Sequence, residues 1–167
     1  MQDAKLKVFL DTNIVVDYLN KRHPFFDRAR LLMVLGYVGE IELWVSSSQF
    51  SDLVYILSNG ASSYEIQLAL GKLQGLRQFV NVFATSETQI DKMLLTTWKD
   101  PEDFIIYECA LDIQANAIIS RDKCGFENTI INVFNCEEFF DWLTKTGSVD
   151  YEIVDFIQAE AYGNHLN

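Results

Sequence analysis

The sequence contains no apolar run that approaches the length of a membrane-spanning helix. Its first residues, Met1 to Lys7, lack the apolar core of a signal peptide. These two absences disfavour a membrane protein and a secreted protein. We therefore expect a soluble, cytoplasmic protein.

Cysteine and histidine are also scarce. The three cysteines, Cys109, Cys124 and Cys136, form no CxxC pair and are odd in number, so we expect reduced, structural thiols. The two histidines, His23 and His165, stand in a predicted loop and near the C-terminus. This scarcity disfavours Ser–His–Asp chemistry and nuclease mechanisms that depend on histidine.

Positive charge is in short supply as well. The chain has 13 basic and 24 acidic residues, a formal net charge of −11. Because nucleic-acid binders usually neutralise phosphates with Lys and Arg, composition alone disfavours an RNA partner. An acidic chain can still bind RNA through metal ions or a local group of cations, and the densest basic stretch contains Lys21, Arg22, Arg28 and Arg30. Composition therefore does not decide the function, and the positions of the carboxylates must be considered.

Apolar residues, at 49% of 167, are sufficient for one well-packed core. Short apolar runs near Val8–Leu10, Leu43–Val45 and residues 80–83, 117–119 and 130–134 predict five strands, and stretches of helical periodicity separate them. This alternation predicts an α/β fold, a three-layer α/β/α sandwich with a five-stranded, mostly parallel central sheet. We expect one domain over residues 1–146 and an acidic helical tail over 147–167.

Local signals also predict where helices begin. Asp100-Pro101 is typical of a helix start with proline at the first helical position, and Ser86 with Gln89 three residues on fits a capping box. Three serines offer N-caps for the helix after the second strand: Ser46, Ser47 and Ser48.

Four aspartates occupy comparable positions around the predicted strands. Asp11 follows the first strand directly, and Asp122 lies two residues beyond Ser120, where the fourth strand ends. Asp103 lies in the first turn of the helix that enters the fourth strand, and Asp52 lies in the helix that leaves the second. Ligand sites in open parallel sheets lie beyond the carboxyl ends of the strands, so we expect the four side chains to share one pit.

Such a cluster requires a counter-charge, because two unit charges a few ångströms apart repel by roughly 4 kcal/mol at an effective dielectric of about 20. Mg²⁺ and Mn²⁺ prefer oxygen ligands, and such an ion activates water and stabilises phosphoryl charge. Each aspartate also has a structural alternative. Asp11 and Asp103 could serve only the starts of their helices, Asp52 could face solvent, and Asp122 could hold a turn.

The local sequences around these aspartates resemble the four motifs of PIN domains. The matching segments are Phe9-Leu10-Asp11-Thr12-Asn13, Ser48-Gln49-Phe50-Ser51-Asp52-Leu53, Asp103-Phe104-Ile105-Ile106-Tyr107-Glu108-Cys109-Ala110 and Ile119-Ser120-Arg121-Asp122. The resemblance spans roughly residues 6 to 143, and the first and last motifs are the most specific. PIN domains include metal-dependent ribonucleases, among them the toxins of VapBC-type toxin–antitoxin pairs.

The resemblance implies that Asp11, Asp103 and Asp122 bind Mg²⁺ or Mn²⁺ and that Asn13 supports the site. Asp52 stands where the family usually has Glu, so its shorter side chain favours a water-mediated role over direct ligation. The implied substrate is RNA, the implied partner is an antitoxin, and the implied assembly is a homodimer.

Two further groups of residues follow from these expectations. Arg121 and Lys123 flank Asp122 and are candidates for contact with the RNA phosphates, although both could equally be solvated surface cations. Apolar residues on the second and third helices are candidates for the dimer surface, with burial in the core as the alternative. They are Leu31, Leu35, Tyr55 and Ile56.

Two other functions are compatible with parts of the pattern. A strand that ends in Asp-Thr-Asn is similar to the opening motif of haloacid dehalogenase-type phosphatases, but Asn13 replaces their second aspartate and no downstream Lys motif is evident. A PIN-like module that binds RNA or protein without cleaving it is the second alternative. Asp52 and the acidic composition favour that alternative.

Overall fold

A computed structural model describes residues 5–60 and 62–147 of the chain. Of the tail expected at 147–167, residues 148–167 lie outside the described residues. The described residues form five strands and seven α-helices, with one or two helices between successive strands except between β4 and β5. They are β1 (Leu6–Leu10), α1 (Thr12–Leu19), α2 (Phe26–Tyr37), β2 (Ile41–Ser46), α3 (Gln49–Ser58), α4 (Ser63–Leu76), β3 (Val80–Phe83), α5 (Glu87–Leu94), α6 (Pro101–Asp112), β4 (Ala117–Ile119), β5 (Asn132–Phe134) and α7 (Cys136–Thr146), with a single 3-10 turn at Lys123–Gly125.

The strands form one parallel sheet in the order β3-β2-β1-β4-β5. In the centre, Val8 of β1 is in register with Leu43 of β2 on one side and with Ala117 of β4 on the other. The chain order reverses direction at β1, so the loops after β1 and β4 meet at the carboxyl edge of the sheet. This is the place where open α/β sheets bind ligands.

Two apolar clusters cover the faces of the sheet and make the three layers. Helices α1 to α4 and α7 pack on one face, around residues such as Leu10, Val15 and Leu32. Helix α6 packs on the other face, where Phe9, Ile106 and Ile118 are fully buried. The predicted three-layer sandwich is confirmed, and its sheet is entirely parallel.

Local sequence signals start several helices. Asp100 is the N-cap of α6, where its Oδ1 accepts from the backbone N–H groups of Glu102 and Asp103, and Pro101 follows at the first helical position. The capping box expected at Ser86 and Gln89 is present at the start of α5. These features confirm the predicted helix starts.

The prediction that a serine would cap α3 is wrong. Ser48 occupies the N-cap position but has a helical backbone and makes no capping hydrogen bond with its side chain. The Ser48 hydroxyl is hydrogen-bonded to that of Ser46, at 2.7 Å, and Gln49 accepts from the Ser46 backbone N–H. Side-chain contacts across the loop therefore replace the local cap.

Two further expectations change in the tertiary structure. Strand β5 begins at Asn132 because the backbone N–H of Ile130 donates to the Tyr107 hydroxyl instead of to a strand. Leu31 and Leu35 are buried in the core, so they cannot form a dimer surface, whereas Tyr55 is exposed. Within residues 5–60 and 62–147, no helix combines the length and the apolar character needed to cross a membrane.

Candidate metal centre

An acidic pocket of about 240 Å³ lies where the loops after β1 and β4 meet the start of α6. Three of the four predicted aspartates line it, together with two acids that the sequence argument did not select. The residues that line it are Asp11, Thr12, Asn13, Val16, Arg22, Ile56, Asp100, Glu102, Asp103 and Asp122. Five carboxylates thus face one guanidinium group across a small space. We call this the acidic pocket.

Asp11 is the most buried of the acids in the pocket, with 5% of its surface exposed. Burial raises the pKa of Asp11 to about 6, and the charge on Glu102 adds to the rise, while the hydrogen bond from Ser120 opposes it. Asp11 holds the N-cap position of α1 without a capping hydrogen bond from its side chain. Backbone N–H groups of Thr12 and Asn13, in the first turn of α1, also act to lower this pKa.

Ser120 and Asn13 hold the Asp11 carboxylate. Ser120 Oγ lies 2.6 Å from Asp11 Oδ2 and donates to it, and Asn13 Nδ2 donates to the same oxygen at 2.5 Å. Asn13 Oδ1 also accepts from the backbone N–H of Arg121, and Ser120 Oγ accepts from that of Asp122. The first turn of α1 is thereby tied to the loop that carries Asp122.

Asp103 is the most perturbed acid at the rim. Burial raises the pKa of Asp103 to about 7, and the charges of Asp11, Asp100, Glu102 and Asp122 raise it further. Gly125 leaves the room that this carboxylate occupies, because a Cβ atom at Gly125 would lie 1.7 Å from Asp103 Oδ2. The Asp103 carboxylate can therefore occupy its position only because residue 125 is glycine.

A relay of hydrogen bonds links the acidic pocket to the interior. Gln49, which is buried, accepts from the Ser46 backbone N–H and donates to the backbone oxygen of Leu10 and to Thr12 Oγ1. Thr12 Oγ1 in turn donates to Glu102 Oε1 at 2.8 Å. The relay fixes the ends of β1 and β2 and the start of α6 relative to one another.

Four members of this site were not predicted as functional residues: Gln49, Asp100, Glu102 and Ser120. Gln49 and Ser120 lie inside the segments that resemble PIN motifs, and Glu102 directly precedes Asp103. Those positions were a usable signal. Their contacts depend on residues 37 to 109 positions away, which local patterns do not show.

Asp122 combines the two roles considered for it. Its Oδ1 accepts from the Cys124 backbone N–H at 3.1 Å, so it holds the 3-10 turn, and it also lines the acidic pocket. Asp52 is different, because it is exposed and does not line the pocket. It lies one helical turn before Ile56, which does line the pocket, on the same side of α3.

The two cations next to Asp122 are engaged within the protein. Arg121 Nη1 lies 3.0 Å from Asp17 Oδ1, and Lys123 Nζ lies 2.6 Å from Glu138 Oε1. Neither lines the acidic pocket, whereas Arg22, from the basic stretch, does. The structure therefore brings Arg22 close to the carboxylates and directs Arg121 to an internal partner.

The donors of the acidic pocket suit a hard divalent ion. They are carboxylate and amide oxygens, and burial raises the pKa values of two of the acids, Asp11 and Asp103, with neighbouring acids adding to the rise. In the described part of the chain, no three His, Cys, Asp or Glu side chains are arranged to hold one ion together. Mg²⁺ commonly uses one or two carboxylates and keeps several waters, which is compatible with this spacing.

Solved structures with the same architecture include several toxin–antitoxin assemblies. A chain of DNA-bound VapBC from Salmonella typhimurium matches with a TM-score of 0.59 and 18% identity, covering 78% of this chain and 98% of that chain. VapBC2 from Rickettsia felis, bound to a promoter DNA fragment, matches with a TM-score of 0.54 and 18% identity over the same shares. These likenesses establish the fold.

A third structure is VapC20 from Mycobacterium tuberculosis, described as a toxin that cleaves the sarcin–ricin loop. It has a TM-score of 0.52 and 12% identity, covering 66% of this chain and 86% of that chain. No curated protein sequence matches significantly. The family model for the PIN domain matches residues 7–124, which contain β4, all but the first residue of β1 and all five acids of the pocket. The chain therefore belongs to the PIN domain family.

Proposed function

We propose that this protein is an endoribonuclease that depends on Mg²⁺ or Mn²⁺ and hydrolyses phosphodiester bonds at the acidic pocket. The observation that carries the proposal is the set of five carboxylates, two with raised pKa values, at the carboxyl edge of a PIN-domain sheet. A divalent ion would relieve their repulsion, and the same ion would attract a phosphate. The ion thereby offsets the acidic composition at this pocket, while the protein as a whole keeps its negative charge.

Asp11, Asp103 and Asp122 are the residues that would hold the ion, one or two of them directly and the others, with Glu102, through its waters. When bound, the ion supplies positive charge at the phosphate and lowers the pKa of a water nucleophile. Ser120 and Asn13 orient Asp11 through their hydrogen bonds. Arg22, at the edge of the pocket, is placed to contact a phosphate oxygen of the RNA.

We further propose that the protein is the toxin of a toxin–antitoxin pair, acts as a homodimer and is inhibited by a small antitoxin. The supporting observation is that the structures similar to it include VapBC assemblies from two bacteria. Exposed apolar side chains on α3 and α4, namely Tyr55, Tyr64 and Leu68, offer surface for such contacts. Co-expression with the product of a short neighbouring gene tests this, and the expected result is a stable complex without RNA cleavage.

The nuclease proposal is tested by incubating the purified protein with RNA in the presence of Mg²⁺ or Mn²⁺. Asp11→Asn and Asp103→Asn are each expected to reduce cleavage by about 100-fold or more, because even second-sphere changes at metal sites reduce activity by about 10- to 100-fold. Asp91→Asn, which removes an exposed carboxylate on α5, is the matched control and is expected to cleave normally. Metal-independent cleavage, or full activity of both pocket variants, would contradict the proposal.

A PIN-domain module that binds RNA or protein without cleavage is the second candidate. Two observations favour it: Asp52 does not line the pocket, and no three acids in the described residues are arranged around one ion. It predicts that wild type binds RNA or a partner protein but cleaves no RNA with either metal. The same assay, with wild type alone, therefore separates the two candidates.

A further inference from the structure

A second pocket, larger than the acidic one, lies between α1, α2 and the start of α7. Its volume is about 370 Å³, within the range of small-molecule sites. Its apolar walls come from Ile14, Ala29, Pro24 and Phe25, and Arg28 and Arg121 are among its polar residues. We call it the aromatic pocket, after the Phe25 ring.

The two pockets are neighbours. Arg22 lines the acidic pocket, and Phe25, three residues later in the loop between α1 and α2, lines the aromatic pocket. In the same way, Asp122 lines the acidic pocket, and Arg121, which precedes it in the chain, lines the aromatic pocket. In addition, the charges of both Arg22 and Arg121 act on Asp17, which lines the aromatic pocket.

The aromatic pocket offers stacking surfaces. The Arg121 guanidinium carbon lies 4.4 Å from the centroid of the Phe25 ring, and Phe25 still has 42% of its surface exposed. Aromatic rings and arginine planes are the surfaces on which unpaired RNA bases stack. One side of the Phe25 ring contacts Arg121, and the exposed part of the ring remains available to a ligand.

The charges of this pocket are suited to a neutral planar group. Asp17 is fully buried and is paired with Arg121, so it presents no free negative charge. Arg28 lies 3.8 Å from Glu137, so the second guanidinium is also close to an acid. A balanced pocket of this kind attracts neither a phosphate nor a metal ion strongly, whereas the donors and acceptors along a base edge can use its polar groups.

We propose that the aromatic pocket receives one unpaired nucleobase of the RNA substrate, stacked on Phe25 and Arg121, from a nucleotide beside the phosphate that is cleaved at the acidic pocket. The inference rests on the proposed ribonuclease function and names the part of the substrate that this second site recognises. It assigns the loop between α1 and α2 to substrate recognition through Phe25 and Arg22. The RNA must be single-stranded there, because a paired base cannot enter.

The test uses a single-stranded RNA with one cleavage site and copies of it that carry one abasic nucleotide at each position flanking that site. For wild type, an abasic nucleotide at one of these positions is expected to lower kcat/KM by about 5- to 100-fold, as base–aromatic stacking energies imply. For Phe25→Ala, intact RNA should be cut at that reduced rate, and the abasic change should have no further effect. Phe25→Trp is expected to restore the dependence on the base.

A binding experiment distinguishes this inference from the nuclease proposal itself. Equilibrium affinity for the same RNAs is measured with Ca²⁺ in place of Mg²⁺, and Tyr37→Ala, which removes an exposed aromatic side chain at the end of α2, is the control. If no RNA is cut, the nuclease proposal fails. Weaker binding by Phe25→Ala than by Tyr37→Ala, with the difference lost for the abasic RNA, still supports the nucleobase site. An equal abasic penalty in wild type and Phe25→Ala, or no binding at all, overturns it.

Discussion

Asp11, at the N-cap of α1, and Asp17, within α1, are both buried, yet their surroundings differ. Asp17 is 0% exposed and has an ion pair with Arg121, while Asp11 is 5% exposed and is surrounded by other acids in the acidic pocket. Burial raises the pKa of both carboxyls, but Arg121 and Arg22 oppose the rise at Asp17, whereas Glu102 increases it at Asp11. Burial alone therefore does not distinguish a functional acid from a structural one.

The difference is in whether the protein itself supplies the counter-charge. At Asp17 it does, through a guanidinium group held by the loop after β4, and the charged pair is complete within the fold. In the acidic pocket, Arg22 is the only cation among ten lining residues, and five of the others are acids. An incomplete charge balance at the carboxyl edge of the sheet is what an external cation would correct.

The largest expected effect comes from removing the partner of Asp17. Arg121→Ala is expected to destabilise the fold by about 3 kcal/mol at pH 7, because removing one member of a buried pair leaves an uncompensated charge. The loss should shrink as the pH falls, since Asp17 then becomes protonated in the folded state. Chemical denaturation at pH 7 and pH 5 measures both effects.

The control for this prediction is the exposed pair that follows in the sequence. Lys123 and Glu138 are 41% and 42% exposed, so Lys123→Ala is expected to change stability by about 1 kcal/mol or less. If the two variants lose similar stability, the Asp17–Arg121 pair is no more important than a surface contact. Arg121 would then not be an essential counter-charge for Asp17.

Removal of the Asp11 charge, in contrast, is expected to stabilise the fold. In metal-free protein at pH 8, Asp11→Asn should increase stability by on the order of 2 kcal/mol, because it removes a buried charge whose pKa is raised to about 6. The folded state binds more protons than the unfolded state between about pH 4 and pH 6. Wild-type stability should therefore rise as the pH falls through that range.

Thermal unfolding across pH 5 to 8, with a chelator present, measures this dependence. Asp52→Asn is the matched control, because its carboxylate is exposed and does not line the acidic pocket, and it should leave both stability and pH dependence unchanged. Mg²⁺ or Mn²⁺ should stabilise wild type more than Asp11→Asn at pH 8. A wild-type protein that loses stability between pH 8 and pH 5 would argue against repulsion in the pocket.

The smallest expected effect concerns the space beside Asp103. Gly125→Ala should lower the affinity for Mn²⁺ by about 10-fold, in the range seen when the support of a metal ligand is disturbed, because the new methyl group displaces the Asp103 carboxylate. Titration calorimetry of the two proteins gives the two affinities directly.

Gly71→Ala is the matched control, since a Cβ atom at this exposed position of α4 meets no other atom within 4 Å. It should leave the Mn²⁺ affinity unchanged and stabilise the helix by up to about 1 kcal/mol. Unchanged affinity in Gly125→Ala would mean that Asp103 can move without loss of the ion, and that it is not a ligand in its observed position.

Much of the fold was predictable because its signals are local. Alternating strand and helix patterns, the Asp100-Pro101 helix start and the Ser86–Gln89 capping box act over a few residues, and the structure confirms them. The rule for parallel sheets also placed Asp11, Asp103 and Asp122 in one pocket correctly. It could not place Asp52, because the position of a side chain one turn into a helix depends on how α3 packs.

The parallel α/β architecture, and the edge of the sheet at which the acids gather, can be predicted from the sequence, since both follow from local periodicity and strand ends. The pairing of the charges cannot be predicted in this way. Tertiary packing directs Arg121 to Asp17, brings Glu102 and Ser120 to the acidic pocket, and opens an aromatic pocket beside it. These contacts join residues far apart in the chain, so they arise only when the helices pack on the sheet.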